Sequence, residues 1–128
     1  MKREKILIID DEKDFLDLLE SALKRHGYDV IKATDGVEGV EKAKSQKPDM
    51  VICDIRMPKK DGYAVLKEIR QDIDKNLPVI ILSAIDDFRN IQEAYDYEAD
   101  FYVSKPVEFV TFLKNVRALL NINRNKRS

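Results

Sequence analysis

Short unbroken apolar runs alternate along the chain with longer stretches in which apolar residues return every three or four positions. The short runs are Ile6-Leu7-Ile8-Ile9, Val30-Ile31 within residues 28–33, Met50-Val51-Ile52-Cys53, Val79-Ile80-Ile81-Leu82 and Phe101-Tyr102-Val103. Three of them are continuous and rich in β-branched residues, as strands buried on both faces of a parallel sheet are. The longer stretches predict helices. Residues 12–26 put Phe15, Leu18, Leu19, Ala22 and Leu23 on one face, and His26-Gly27 marks the stop. Similar stripes run over 36–46 (Val37, Val40, Ala43), 62–73 (Val65, Leu66, Ile69), 87–98 (Phe88, Ile91, Ala94, Tyr95) and 107–120 (Phe109, Phe112, Val116, Leu120). The repeated unit is therefore βα, five times over. Right-handed crossovers then place helices on both faces of an open parallel α/β sheet, with 2-1-3-4-5 as the common strand order.

A chain of 128 residues is expected to hold one domain, over 1–120, and no second effector module. The polar, basic tail at 121–128 is expected to fray. Lysine and arginine number 23 against 24 acids, a net charge of −1, so the basic excess of a duplex-gripping face is missing and no direct nucleic-acid contact is expected. One cysteine excludes an intrachain disulfide and a multi-cysteine zinc site. The apolar runs are too short to span a membrane. The opening Met-Lys-Arg-Glu-Lys leads into only four apolar residues before two aspartates, which is no signal peptide. The expected location is the cytoplasm.

Ligands of open α/β sheets bind beyond the carboxyl ends of the strands, so the residues that follow each run carry the chemistry. Asp10-Asp11-Glu12 follow the first, Asp54-Ile55-Arg56-Met57-Pro58 end the third, Ser83-Ala84 the fourth and Ser104-Lys105-Pro106 the fifth. Two carboxylates about 4 Å apart repel by roughly 4 kcal/mol at an effective dielectric of 20. A divalent cation removes the conflict, and an all-oxygen set without histidine or thiolate favours magnesium, with manganese possible. Magnesium takes one or two carboxylates and is commonly completed by a phosphate oxygen. A carboxylate can itself be the nucleophile that forms an acyl phosphate. The simplest division gives the metal to the Asp10-Asp11 pair and the nucleophile's role to Asp54, which stands alone on its strand end. Lys105 and Ser83 can then bond the oxygens of a phosphoryl group.

These motifs, in order and on these strand ends, resemble the receiver domain of bacterial response regulators. The resemblance runs over about residues 4–120 and includes Asp61-Gly62 and Tyr102-Val103-Ser104-Lys105-Pro106. It implies a flavodoxin-like fold and a two-component signalling role. Asp54 is by resemblance the phosphoacceptor, and Asp11, Asp54 and the Arg56 carbonyl the direct magnesium ligands, with Asp10 acting mainly through water. Ser83 and Lys105 match the phosphoryl-sensing pair. Tyr102 takes the aromatic switch position, turning inward as Ser83 is drawn to the phosphoryl. The implied donor is the phosphohistidine of a sensor histidine kinase or a phosphotransfer protein. The implied output surface is made by helix 4, strand 5 and helix 5, for a partner or a second copy. Arg56 and Ile85 border the path of the attacking water and are candidates for setting the phosphoryl lifetime. The resemblance also favours a cis Lys105–Pro106 bond. Gly39 departs from the usual alanine of the second helix, at roughly 1 kcal/mol of helix preference.

Plainer roles stand beside these. Asp10 and Asp11 can cap the first helix, although two in a row with Glu12 and Asp14 overfill that need. Ser83 can cap a helix, Lys105 can be a solvated lysine, and Tyr102 can be strand packing. Cys53 reads as a small buried hydrophobe. Two other functions fit the topology. A magnesium-dependent phosphatase with an aspartyl intermediate, an aspartyl-phosphate hydrolase, carries Asp-x-Asp after strand one, where this chain reads Asp10-x-Glu12. A nucleotide- or flavin-binding domain needs a Gly- or Ser/Thr-rich loop there, and two aspartates repel a phosphate. Beyond holding its metal and slowly hydrolysing its own phosphoryl group, no enzyme activity is expected.

Overall fold

The structure, a computed structural model, describes residues 3–84, 96 and 98–127. Five parallel strands, β1 (Lys5–Ile9), β2 (Asp29–Ala33), β3 (Met50–Asp54), β4 (Val79–Ala84) and β5 (Phe101–Lys105), form one sheet in the order β2-β1-β3-β4-β5. This is the order expected from the βα repeat. Between them run α1 (Lys13–Arg25), α2 (Gly36–Gln46) and α3 (Gly62–Glu68), and a C-terminal helix (Phe109–Arg127) closes the chain. The helix predicted over 87–98 lies, save for residues 96 and 98, outside the described residues.

Strand alternation explains why the apolar runs are unbroken. Leu7, Ile9, Val51, Cys53, Val79 and Ile81 face α2 and α3, where Val40, Ala43, Val65 and Leu66 meet them. Their neighbours Ile6, Ile8, Met50, Ile52, Ile80 and Leu82 face α1 and the C-terminal helix, against Leu16, Leu19, Leu23, Phe112, Val116 and Leu120. Both faces are covered, so each residue in these runs is buried whichever way it points.

Three elements differ from the sequence expectation. The stretch predicted as one helix over 62–73 changes winding at Ile69, and Ile69–Ile73 forms a π-turn closed by the Asp74 amide on the Ile69 carbonyl at 2.8 Å. β5 runs on to Lys105, because Ser104 and Lys105 pair with Ser83 and Ala84 of β4. The tail expected to fray is helical through Arg127. Asn123 is buried one turn beyond Leu120 and continues the buried stripe of Val116 and Leu120 with a polar residue.

Gly39 also finds its reason. A Cβ at this position would run into Cδ1 of Ile9 and lie 3.0–3.1 Å from its two γ-carbons, so glycine lets α2 sit close on β1. Among the described residues, no helix is long and apolar enough to cross a membrane.

Candidate functional site

In-register parallel pairing aligns the carboxyl ends of four strands on one edge. Asp54 pairs with Leu82, Ser83 with Ser104, and Ala84 with Lys105, while β1 delivers Asp10 beside β3. Asp54 ends β3 and is nearly buried; its Oδ1 accepts the Ile55 amide at 3.0 Å. The turn after it packs tightly. A Cβ on Gly62 would run into the Asp54 carbonyl and lie 2.8 Å from the Ile55 Cα, while Asp61 caps α3 by accepting the Ala64 amide at 2.8 Å. Within that turn Lys59 takes φ 71° and the Lys60 amide donates to the Pro58 carbonyl at 2.8 Å, a three-residue reversal.

The expected residues come together. Asp10, Asp11 and Asp54 each offer an oxygen, and these oxygens lie within 4.8 Å of one another. That spacing lets one hard cation reach all three. Asp10 is fully buried, Asp11 exposed. Asp10 Oδ1 accepts the Glu12 amide at 2.9 Å, a local turn ahead of α1; Glu12 itself is the N-cap and no side chain caps the helix, so the plainer capping role open to Asp10 and Asp11 is not what the structure shows. The Lys105 Nζ donates to Asp10 Oδ2 at 2.9 Å and lies 3.7 Å from both Asp54 Oδ2 and the mostly exposed Glu12 Oε1. Ser83 is buried on the adjacent strand end. Tyr102 is half-buried against the α2/α3 side of the sheet. The Arg56 side chain is exposed, and Ile85 lies outside the described residues. The Lys105–Pro106 bond is cis.

The electrostatics follow from this crowding. Burial, then the Asp10 charge, push the Asp54 carboxyl up to about 6, and Lys105 and the Ile55 amide offset only part of that. Dehydration pulls the Lys105 ammonium down, but the Asp10 hydrogen bond and the charges of Asp54, Asp10 and Glu12 outweigh it and raise it. Cys53 is fully buried, and burial followed by the Asp54 charge pushes its thiol well up, so it is inert packing. The carboxylate cluster carries more negative charge than one lysine balances, which is the donor set a divalent cation fits.

One neighbour escaped the sequence reading. The ring of Phe15, counted there only as part of an apolar stripe, lies under the Lys105 ammonium, 4.4 Å from Nζ to centroid. A cavity of about 430 Å³ between the end of α2 and the π-turn, lined by Lys44, Lys47, Asp72 and Leu77 among others, is not lined by any of these site residues.

Comparison with known proteins agrees with this arrangement. Residues 6–117 match the response regulator receiver domain, so the chain belongs to that family. The alkaline phosphatase synthesis transcriptional regulatory protein PhoP of Bacillus subtilis is 38% identical over 117 residues, covering 91% of this chain and 48% of PhoP. The DNA-binding dual master transcriptional regulator RpaA of Synechocystis is likewise 38% identical over 117 residues, covering 91% of this chain and 48% of RpaA. The chain thus spans about half the length of these curated relatives. The receiver domain of a Francisella response regulator superposes with a TM-score of 0.86 at 32% identity, covering 93% of this chain and 98% of that one. The chain is a receiver domain of the two-component signalling type, a signalling module.

Proposed function

We propose that this receiver takes a phosphoryl group on Asp54 from the phosphohistidine of a sensor histidine kinase or a phosphotransfer protein. The observation that carries the reading is the convergence of Asp10, Asp11 and Asp54, with the Lys105 ammonium against Asp10 and Asp54. An Asp54 oxygen attacks phosphorus, the P–N bond to the donor imidazole breaks, and an acyl phosphate forms on Asp54. Asp11, Asp54 and the Arg56 carbonyl would hold magnesium, or manganese, with Asp10 acting through water. When bound, the ion neutralises the carboxylates and the incoming phosphoryl charge. Lys105 and Ser83 bond phosphoryl oxygens, and Ser83's movement lets Tyr102 turn inward. That rearrangement biases the face built from helix 4, strand 5 and helix 5, which meets an output partner or a second copy. The receiver unit is residues 1–120, and Arg56 and Ile85 set the lifetime of the product.

The test is phosphoryl uptake from acetyl phosphate, read by intact mass with and without magnesium. One phosphoryl per chain, dependent on the metal and lost in Asp54→Asn, supports the assignment. Metal-independent labelling, or equal labelling of Asp54→Asn, defeats it. Steady turnover of small phosphoesters would point instead to a hydrolase.

A further inference from the structure

Lys105 is not a free tether reaching into the acidic rim. Its carboxylate partners, Asp10 at 2.9 Å and Asp54 and Glu12 at 3.7 Å, supply the charge balance. A further contact, apolar and not anionic, comes from Phe15. It stands on the first turn of α1, half-buried in the core formed with β1, β3 and the C-terminal helix, and it presents its ring to Nζ at 4.4 Å to the centroid. The Lys105 side chain keeps only 20% of its exposure as a result of these contacts together. We infer that Phe15 is a positioning residue for Lys105, holding the ammonium by its ring face so that the cation meets the phosphoryl group on Asp54.

The ring has two properties that a carboxylate lacks. It attracts a cation through its negative face while excluding water from that side. It is also flat and apolar, so an ammonium moving from Asp10 toward a group on Asp54 keeps its contact, whereas the bond to Asp10 must lengthen. Holding the lysine this way reduces the rotamer freedom lost when the phosphoryl arrives. The inference rests on Asp54 being the phosphoacceptor.

A residue that merely fills space gives the same rate for any ring of its size, so the decisive variants change charge and not volume. Phenylalanine, 4-fluoro-, 3,5-difluoro- and 3,4,5-trifluorophenylalanine are placed at position 15 by site-specific incorporation, and phosphoryl uptake from acetyl phosphate is followed by mass with magnesium present. The rate is expected to fall stepwise with fluorination, by about 3- to 10-fold across the series, with unchanged thermal unfolding. Phe15→Leu is expected to match the slow end. A flat series in proteins that all label on Asp54 overturns the inference and leaves the phosphoacceptor reading intact. Absence of Asp54 labelling in the unsubstituted protein overturns that reading instead. A second readout needs no phosphoryl donor. With lysine labelled at Nζ, the Lys105 ammonium protons are expected upfield of the other lysines and slow to exchange with water in the resting protein. An ammonium resonance at the ordinary lysine position, exchanging freely, contradicts the contact.

Discussion

The Asp54 carboxyl is held in the fold at a cost in stability. It titrates near 6 in the folded chain against an ordinary value of 3.8, so above pH 6 the fold holds a charge that the unfolded chain carries more comfortably. The penalty is full above pH 6, is relieved as the pH falls through 6, and is gone below about 4. A shift of this size corresponds to about 3 kcal/mol before local relaxation. Asp54→Asn is therefore expected to be more stable than the parent by about 1–3 kcal/mol at pH 7.5 without metal, and the gap to shrink to about a third of that at pH 4.5. Urea unfolding of the pair at both pH values checks this, and an equal gap at both would refute the electrostatic cause. Magnesium is expected to stabilise the parent more than the variant. Asp10, Asp54 and Lys105 were legible because each ends or follows a recognisable apolar run. The Phe15 ring over Lys105 was not, because its partner is distant in sequence and no local spacing marks a cation–ring contact.

Two elements carry consequences at their own scale. The π-turn after α3 holds Arg70, whose side chain is nearly buried at the edge of the sheet opposite the carboxylates. It donates to the carbonyls of Leu77 at 2.6 Å and Glu98 at 2.9 Å, and pairs with Asp100, which also accepts the Val79 amide. This one guanidinium ties the entries of β4 and β5 together. With the Asp74 carbonyl at 3.4 Å as well, Arg70→Ala takes a donor from four acceptors and is expected to cost about 2–4 kcal/mol. Lysine, with no planar fork, is expected to recover little of it. Thermal unfolding that placed Arg70→Lys level with the parent would remove the fork from the explanation. On α2, Gly39→Ala gains about 1 kcal/mol of helix preference but overpacks Ile9, at about 1–3 kcal/mol. It is expected to lower the melting temperature in the parent and to raise it in an Ile9→Val background. A rise in both would contradict the close approach. The described helices and strands were legible from period alone. The π-turn was not, since five residues cannot separate two helical windings, and the extended C-terminal helix was hidden because Asn123, at a buried position, breaks the apolar stripe.

For the molecule as a whole, topology does the work that no local motif can. Parallel strands in the order 2-1-3-4-5 collect the ends of β1, β3, β4 and β5 on one edge, and Asp10, Asp54, Ser83 and Lys105 lie on or directly after those ends. That arrangement follows from the βα repeat alone. The distances within the cluster and the raised Asp54 carboxyl required the folded chain, because they depend on burial that sequence spacing does not encode. The central claim is that the phosphoryl group goes to Asp54 and to no other carboxylate of the cluster. Borohydride reduces an aspartyl phosphate to homoserine, so the phosphorylated protein can be reduced, digested and mapped by peptide mass. Homoserine at position 54, formed only with magnesium present, is the predicted result. Homoserine at position 10 or 11, or none at all in protein that has gained a phosphoryl group, would contradict the account.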